Sequence, residues 1–215
     1  MQADPSARAD LARLGVSLVP AVVVGDRVVH GWNPEGYAAL LGVAAPAAER
    51  LPPAVLAARL DRILAATQAL LAPLSADQLA WRPPERDRTV RDLGHHVFRL
   101  ALAFVDGVDL GRFPESWLQE PAPDDLRDGA AVARYGALVR ARLTGWFEGA
   151  GGDEFERVID VYYGPQSGHA MLERTTWHAA QHLRQLHDLA GRLGTPAAAL
   201  PEDAFEGLPL PRAVW

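Results

Sequence analysis

The feature that most constrains the fold is the spacing of the mainly apolar residues from residue 54 onward. Over much of this region the spacing matches the period of an α-helix. In the first such stretch these residues recur every three or four positions. They are Leu56, Leu60, Ile63, Thr67 and Leu70. This repeat is typical of one amphipathic helix that packs its apolar stripe against neighbouring elements.

Three further stretches repeat this pattern. Thr89 is placed to cap a helix that continues to residue 104, with Asp92 three positions later as in a capping box. Residues 125–148 and 170–192 form the other two, and Gly194 ends the last. Four helices joined by loops of moderate length predict a mainly α fold built on a four-helix bundle.

The first 45 residues have a different pattern, which predicts a small α+β fragment. A short helix is expected over residues 7–14. Two β-branched runs then flank Gly25-Asp26, a pair typical of two-residue hairpin turns. Asn33 and Pro34 are placed to cap and begin a helix that ends at Gly42. An Ala- and Pro-rich linker follows, so we predict two domains, residues 1–45 and 51–215.

Composition excludes several classes of function. The formal net charge is −6 and no basic cluster is present, which argues against a nucleic-acid partner. No apolar run is long enough to span a bilayer, and the N-terminus lacks a signal-peptide pattern. These features predict a cytoplasmic protein with no membrane partner. The chain has no cysteine, so a tight metal site would need His, Asp or Glu ligands.

Two of the seven histidines, His178 and His182, lie four positions apart in TTWHAAQHL. On a helix this spacing places both imidazoles on one face, where they can share a metal ion. An isolated pair of this kind is a coincidence in roughly one case in two. Here the flanking residues are apolar, and a buried imidazole needs a polar partner, so the context favours a metal site.

A third ligand is expected from the second helix, which contains His95 and His96. Adjacent helical residues point about 100° apart, so only one of them can face the site. His96 shares its side with Leu93 and Leu100, whereas His95 lies with polar neighbours, and we therefore select His96. The other histidines, His30, His169 and His187, are out of phase or in other elements and are expected to have a structural or surface role.

Three neutral imidazoles suit a divalent ion such as zinc, nickel or iron and leave positions open for water or substrate. That arrangement is typical of a catalytic metal.

Other residues are candidates for the surroundings of the ion. Asp92 and Glu173 could accept a hydrogen bond from a ligand ring. Gln181 and Gln185 could orient ligands, bind an anionic substrate or simply be solvated. Trp177 is expected in the core or pocket wall, and Tyr162 and Tyr163 at the pocket mouth.

The segments RTVRDLGHHV and ERTTWHAAQHLRQL, with Trp81-Arg82-Pro83 ahead of them, resemble the DinB/YfiT-like superfamily of metal-binding four-helix bundles. The resemblance covers residues 51 to about 194. It implies one metal bound by three histidines, with the second-helix ligand at the position of His96. It also implies, for some members, transferase or isomerase activity that uses mycothiol, bacillithiol or glutathione. Other members have no established activity.

Residues 16–42 resemble the second half of glutaredoxin, in which the proline matching Pro20 is cis and faces the redox centre. The half that would contain a CxxC motif is absent and the chain has no cysteine, so it cannot perform glutaredoxin chemistry itself. Either the true gene start lies upstream or the fragment is a structural element. Its uncovered strand edge predicts a homodimer, with Val22, Val24, Val28 and Leu40 on the exposed apolar face.

These observations lead to one functional interpretation with two alternatives. The first is a metal-dependent transferase or isomerase that joins a low-molecular-weight thiol to a small-molecule substrate. The second is a metal-dependent hydrolase in which metal-bound water attacks, and a carboxylate near the open position would favour it. The third is a non-catalytic module that binds metal or ligand, as in a stress response. The sequence assigns no catalytic residue beyond the metal ligands.

Overall fold

The computed structural model describes residues 5–16, 20–44, 50–195 and 198–215. Contacts divide the chain into two units, Met1–Arg50 and Leu51–Trp215, which are described separately. Within the described residues, no helix has both the length and the apolar character needed to cross a bilayer.

The first unit contains helix α1 (Pro5–Arg13), strands β1 (Ala21–Val24) and β2 (Arg27–His30), and helix α2 (Pro34–Leu41). The strands pair antiparallel with Val24 opposite Arg27, which confirms the predicted two-residue turn. Gly25 has φ of 61°, a left-handed conformation that glycine adopts without strain. The Asn33 side chain accepts a hydrogen bond from the Gly36 amide at 2.8 Å, so the predicted start of α2 is also confirmed.

One detail of this unit differs from expectation. Leu40 is buried, whereas we expected it on an uncovered apolar face. Val22 and Val28, expected on the same face, are half-buried. The large apolar residues that are exposed in the described part of this unit are Val23, Val24, Leu41 and Val43. The difference arises because Leu40 and Leu41 are adjacent on α2, and the helix turns only one of them inward.

Four long helices form the bundle of the second unit. They are α3 (Pro53–Leu71), α5 (Val90–Leu110), α6 (Gly129–Gly149) and α8 (Gly168–Arg192). Helices α3 and α5 each pack against both α6 and α8, while α3 and α5 contact each other little. Consecutive helices α3 and α5 are therefore diagonal in the bundle, with the short helix α4 (Ala76–Ala80) between them in sequence. The mainly α, four-helix-bundle prediction is confirmed.

The start of α6 differs from the sequence prediction. The helix begins at Gly129 and not at residue 125, because the Asp128 carboxylate accepts from the Ala131 amide at 2.7 Å. That bond makes Asp128 the N-cap. The Gly129 amide also donates to the Leu74 carbonyl, which ties the start of α6 to the loop after α3.

A small three-stranded sheet lies between the long helices in sequence. Strand β3 (Arg112–Phe113) pairs parallel with β4 (Val158–Val161), and β4 pairs antiparallel with β5 (Gly164–Ser167). A 3₁₀ helix (Glu115–Gln119) follows β3, helix α7 (Gly152–Glu156) precedes β4, and α9 (Glu202–Phe205) follows α8. Tyr162 and Tyr163 form the turn between β4 and β5. The sheet thus brings this turn beside Phe113 and the first turns of α8.

Candidate metal centre

The three histidines of the predicted site lie on two neighbouring helices. Thr89 caps α5 by accepting from the Asp92 amide, which places His96 about two turns into that helix. Ser167 caps α8 in the same way, with the Ala170 amide as donor, and His178 and His182 follow in its middle. Helices α5 and α8 pack directly against each other, so the three rings face one another.

The ring nitrogens converge closely. His96 Nε2 lies 3.2 Å from His178 Nε2, and His178 Nε2 lies 3.0 Å from His182 Nε2. All three ligand atoms are within 4.8 Å of one another. Ligand nitrogens of a tetrahedral zinc site, each bonded at 2.0–2.1 Å, would be about 3.3 Å apart. The arrangement therefore has the spacing that one divalent ion requires.

Gln185 fixes the orientation of one of these rings. The His182 Nδ1 group donates to Gln185 Oε1 at 2.7 Å, and Gln185 Nε2 donates to the Val214 carbonyl at 2.9 Å. A carbonyl can only accept, so the amide nitrogen of Gln185 must face Val214 and its oxygen must face His182. With the proton on Nδ1, the lone pair of His182 Nε2 faces the cluster, as a metal ligand needs.

Burial keeps the three rings neutral. Desolvation lowers the pKa of His96 and His178 well below the ordinary value, and lowers that of His182 to about 4. Neighbouring positive charges act in the same direction on all three rings. Neutral imidazole is the form that binds metal, so no proton competes for these nitrogens near neutral pH.

His95 is directed away from the cluster. Its ring stacks on Tyr135 of α6, with centroids 5.3 Å apart and planes at 29°. Its Nδ1 atom is buried and, among the described residues, has no hydrogen-bond partner. The structure thus groups His96 with the α8 pair and leaves His95 in the α5–α6 interface. His169 is not part of the cluster either, and its Nε2 atom lies 2.8 Å from the Leu51 carbonyl oxygen.

The other candidate residues named from the sequence have different partners in the structure. Gln181 donates to the Val214 carbonyl at 2.8 Å, and the Trp177 indole donates to the Pro209 carbonyl, so both hold the C-terminal segment on α8. The Asp92 carboxylate accepts from the Thr89 hydroxyl and the Ala122 amide, which engages it in capping and loop closure. Glu173 is half-buried on α8, five positions before His178. Gln185, also named from the sequence, hydrogen-bonds a ring of the cluster.

Two arginines next to the cluster were not identified from the sequence. Arg174 lies four positions before His178 on α8, and its charge acts on His96 and His178. Arg88 lies just before the N-cap of α5, is half-buried, and acts on all three rings. The spacing of Arg174, His178 and His182, each one helical turn from the next, was the signal that could have revealed the first.

The β4–β5 turn and β3 surround Arg174 with aromatic rings. Its guanidinium carbon lies 5.4 Å from the Phe113 ring centroid and 5.7 Å from that of Tyr163, and its positive charge acts on the Tyr162 hydroxyl. Tyr163 is buried, and its hydroxyl has no hydrogen-bond partner in the described part of the chain. Both tyrosines named at the pocket mouth therefore lie beside Arg174.

A separate groove of about 490 Å³ lies between α3 and α6, lined by residues such as Pro53, Leu143 and Phe147. None of the three histidines lines it. It is therefore distinct from the histidine cluster, and the chemistry described above does not involve it.

Two of the solved structures that resemble this chain come from Bacillus subtilis. One is a DinB-like protein from Bacillus subtilis, YjoA, with 17% identity and a TM-score of 0.55 over 67% of this chain and 96% of that one. The other is YfiT from Bacillus subtilis, described as a probable metal-dependent hydrolase with an unusual four-helix bundle topology. It has 18% identity and a TM-score of 0.50, over 67% of this chain and 89% of that one.

At this identity the two structures establish the fold alone. No curated protein matches the sequence. The DinB superfamily model matches residues 59–186, which span the long helices α5 and α6, most of α3 and α8, and all three clustered histidines. This match covers more than half of the chain, and the chain belongs to the DinB superfamily.

Proposed function

We propose that His96, His178 and His182 hold one divalent metal ion, and that the protein uses it to transfer a low-molecular-weight thiol to a small electrophile. The observation that carries this proposal is the setting of the cluster. Three neutral imidazoles converge, and apart from the histidines themselves the charges that act most strongly on them belong to arginines, not carboxylates.

The arginines favour an anionic nucleophile. Arg88 and Arg174 place positive charge beside rings that are themselves neutral, and a divalent ion would add two more charges. An anion at the open position would offset this excess, and a thiolate is such an anion. When bound, the ion would supply the charge that lowers the pKa of a coordinated thiol.

The chain's own residues would hold and orient this chemistry. Gln185 keeps the His182 lone pair directed into the cluster. Arg88, whose charge acts on all three rings, stabilises negative charge on the sulfur. In the transfer, the thiol loses its proton to solvent and its sulfur forms a bond to the electrophilic carbon. The leaving group departs with its bonding electron pair. The similarity of residues 16–42 to part of glutaredoxin, a thiol-handling fold, also supports a thiol co-substrate.

Hydrolysis is the second candidate, because YfiT, which shares the fold, is described as a probable metal-dependent hydrolase. A water nucleophile benefits from a general base such as a carboxylate. Apart from histidines, the charged groups that act most strongly on the cluster rings are guanidinium groups, which cannot accept a proton from water. A non-catalytic binding module is the third candidate and would require only the metal and a ligand.

The experiment is a metal-loaded assay with and without thiol. Full-length protein would be incubated with 1-chloro-2,4-dinitrobenzene and glutathione, bacillithiol or mycothiol, and product formation followed by absorbance. We expect thiol-dependent turnover that a chelator abolishes and that His182→Ala lacks. Metal-dependent cleavage of a nitrophenyl ester at the same rate without thiol would support the hydrolase. Metal binding with no turnover in either assay would support the binding module.

A further inference from the structure

Arg174 occupies an unusual environment for a charged side chain. The residue is only 7% exposed. Its guanidinium carbon lies 5.4 Å from the Phe113 ring centroid and 5.7 Å from the Tyr163 ring centroid. In the described part of the chain, no carboxylate forms a salt bridge with it, although other arginines such as Arg99 and Arg140 do have such partners. A buried guanidinium without an anion is costly, so its retention needs an explanation.

Tyr163 offers a second unsatisfied group at the same place. The residue is 7% exposed and its hydroxyl is buried without a partner among the described residues. Burial raises the pKa of this hydroxyl to about 12, so it remains protonated and can donate a hydrogen bond. A buried donor left unpaired carries a desolvation penalty that a bound acceptor would remove.

Arg174 lies one helical turn from His178, and the Tyr163 ring centroid lies 5.7 Å from the Arg174 guanidinium carbon. Arg174, His178 and His182 form a stripe on α8 at spacings of four residues, and such neighbours are about 5–6 Å apart at Cβ. A ligand that reaches the metal with one end could therefore place its other end on Arg174 and Tyr163. The guanidinium faces two aromatic rings, which leaves its edge N–H groups for a planar acceptor.

We propose that the molecule bound at the histidine cluster is a small carboxylate-bearing compound, whose carboxylate is held by the Arg174 guanidinium and the Tyr163 hydroxyl. A carboxylate fits because it is planar and accepts two parallel N–H bonds from one guanidinium. This inference rests on the proposed function, since it names the chemical class of ligand that the metal site takes. It makes Arg174 and Tyr163 the residues that select acids over neutral analogues.

The test compares an acid with its neutral amide on metal-loaded, full-length protein. The probes are 3-mercaptopropionate, 3-mercaptopropionamide and propionate, with binding measured by calorimetry. We expect 3-mercaptopropionate to bind about 10- to 100-fold more tightly than the amide, as for a hydrogen-bonded charge pair. Arg174→Met should remove most of this preference. Tyr163→Phe should reduce it by a smaller factor, because only one donor is lost.

The matched control is Arg134→Met, which changes an exposed arginine on α6 and should leave the preference unchanged. If Arg174→Met does not fold, the isosteric Tyr163→Phe variant still tests the subsite through the same affinity ratio. The inference would be overturned if a folded Arg174→Met variant kept the preference for the acid. If Arg174→Met does not fold, an unchanged preference in Tyr163→Phe would overturn it. So would equal binding of acid and amide to the unmodified protein.

Propionate separates this inference from the proposed function. If 3-mercaptopropionate binds no more tightly than propionate, the thiol does not coordinate the metal and the transferase proposal fails. Binding of propionate that still depends on Arg174 would leave the carboxylate subsite supported. If both thiols bind equally and more tightly than propionate, the thiol proposal survives and the subsite is refuted.

Discussion

His182 and Gln185 are joined by a 2.7 Å hydrogen bond from the imidazole Nδ1 group to the amide oxygen, and this bond determines which ring nitrogen faces the other histidines. Gln185 is itself oriented by the Val214 carbonyl, which accepts from its Nε2 group. The C-terminal segment therefore acts on the cluster through one amide side chain. The relationship can be tested because α8 has a second glutamine bonded to the same carbonyl.

Gln185→Leu should weaken metal binding by roughly 10- to 100-fold, as expected when the partner that orients a ligand histidine is removed. Gln181→Leu is the matched control, since Gln181 also donates to the Val214 carbonyl, whereas the partner of His182 Nδ1 is Gln185. Competition with a chromogenic chelator would measure both affinities. Equal losses in the two variants would mean that attachment of the C-terminal segment, and not ring orientation, is what matters.

The metal ligands themselves should differ sharply from their neighbour His95. Purified protein is expected to contain about one divalent ion per chain, and His96→Ala, His178→Ala or His182→Ala should lose it. His95→Phe should retain the ion, because a phenyl ring can keep the stacking on Tyr135. Metal analysis by mass spectrometry would decide. If the His95 variant is empty and the His96 variant loaded, the ligand set proposed here is wrong.

The metal-free protein should lose stability as the pH falls from about 6.5 toward 4. Burial lowers the pKa of His182 from 6.5 to about 4, so in this window the unfolded chain binds a proton that the folded chain excludes. His182 alone would then contribute a loss on the order of 3 kcal/mol. Urea unfolding of chelator-treated protein between pH 7 and 4.5 would measure it. His182→Gln should flatten the pH dependence, and an unchanged slope in that variant would contradict the assignment.

Packing between α5 and α6 predicts opposite effects for two glycines on one helix. A Cβ atom at Gly136 would lie 2.5 Å from Cζ of the buried Phe98 ring, so Gly136→Ala should destabilise the protein by about 1–2 kcal/mol. Gly145 has no atom within 4 Å of such a Cβ, and Gly145→Ala should stabilise by about 0.5–1 kcal/mol through helix propensity. Chemical denaturation would compare them. Similar effects at both sites would refute the close packing at Gly136.

Local chemistry explains why parts of this architecture could be predicted from the sequence. The Gly25-Asp26 turn and the Asn33 cap are set by neighbouring residues, and both occur as expected. The choice of His96 over His95 depends only on the rotation of one helix. By contrast, residues 124, 125 and 128 are all aspartates able to cap α6, and nothing in the local sequence shows that the third does so.

The rest of the site depends on contacts between distant segments. Arg112 pairs with Asp160 across 48 positions, and this pairing brings the Tyr162–Tyr163 turn to Arg174. The diagonal placement of α3 and α5 likewise depends on the packing of all four helices. No periodicity in one segment encodes these relationships, so the sequence identified the histidines but not the arginines around them.

The N-terminal hairpin gives the last prediction, which concerns assembly. We propose that two chains associate through this unit, since Val23 and Val24 are 43% and 44% exposed on a sheet that has two strands, and no further strand at either edge, among the described residues. Leaving this surface in water would cost on the order of a few kcal/mol, which edge pairing between two chains would recover. Val23→Glu with Val24→Glu should therefore give a monomer, whereas Leu138→Glu, at an exposed apolar position on α6, should not.

Removal of residues 1–45 should likewise give a monomeric bundle that still binds metal. Light scattering at micromolar concentration would measure the masses. A full-length chain that is already monomeric would refute the dimer, because the exposed valines would then be tolerated without a partner.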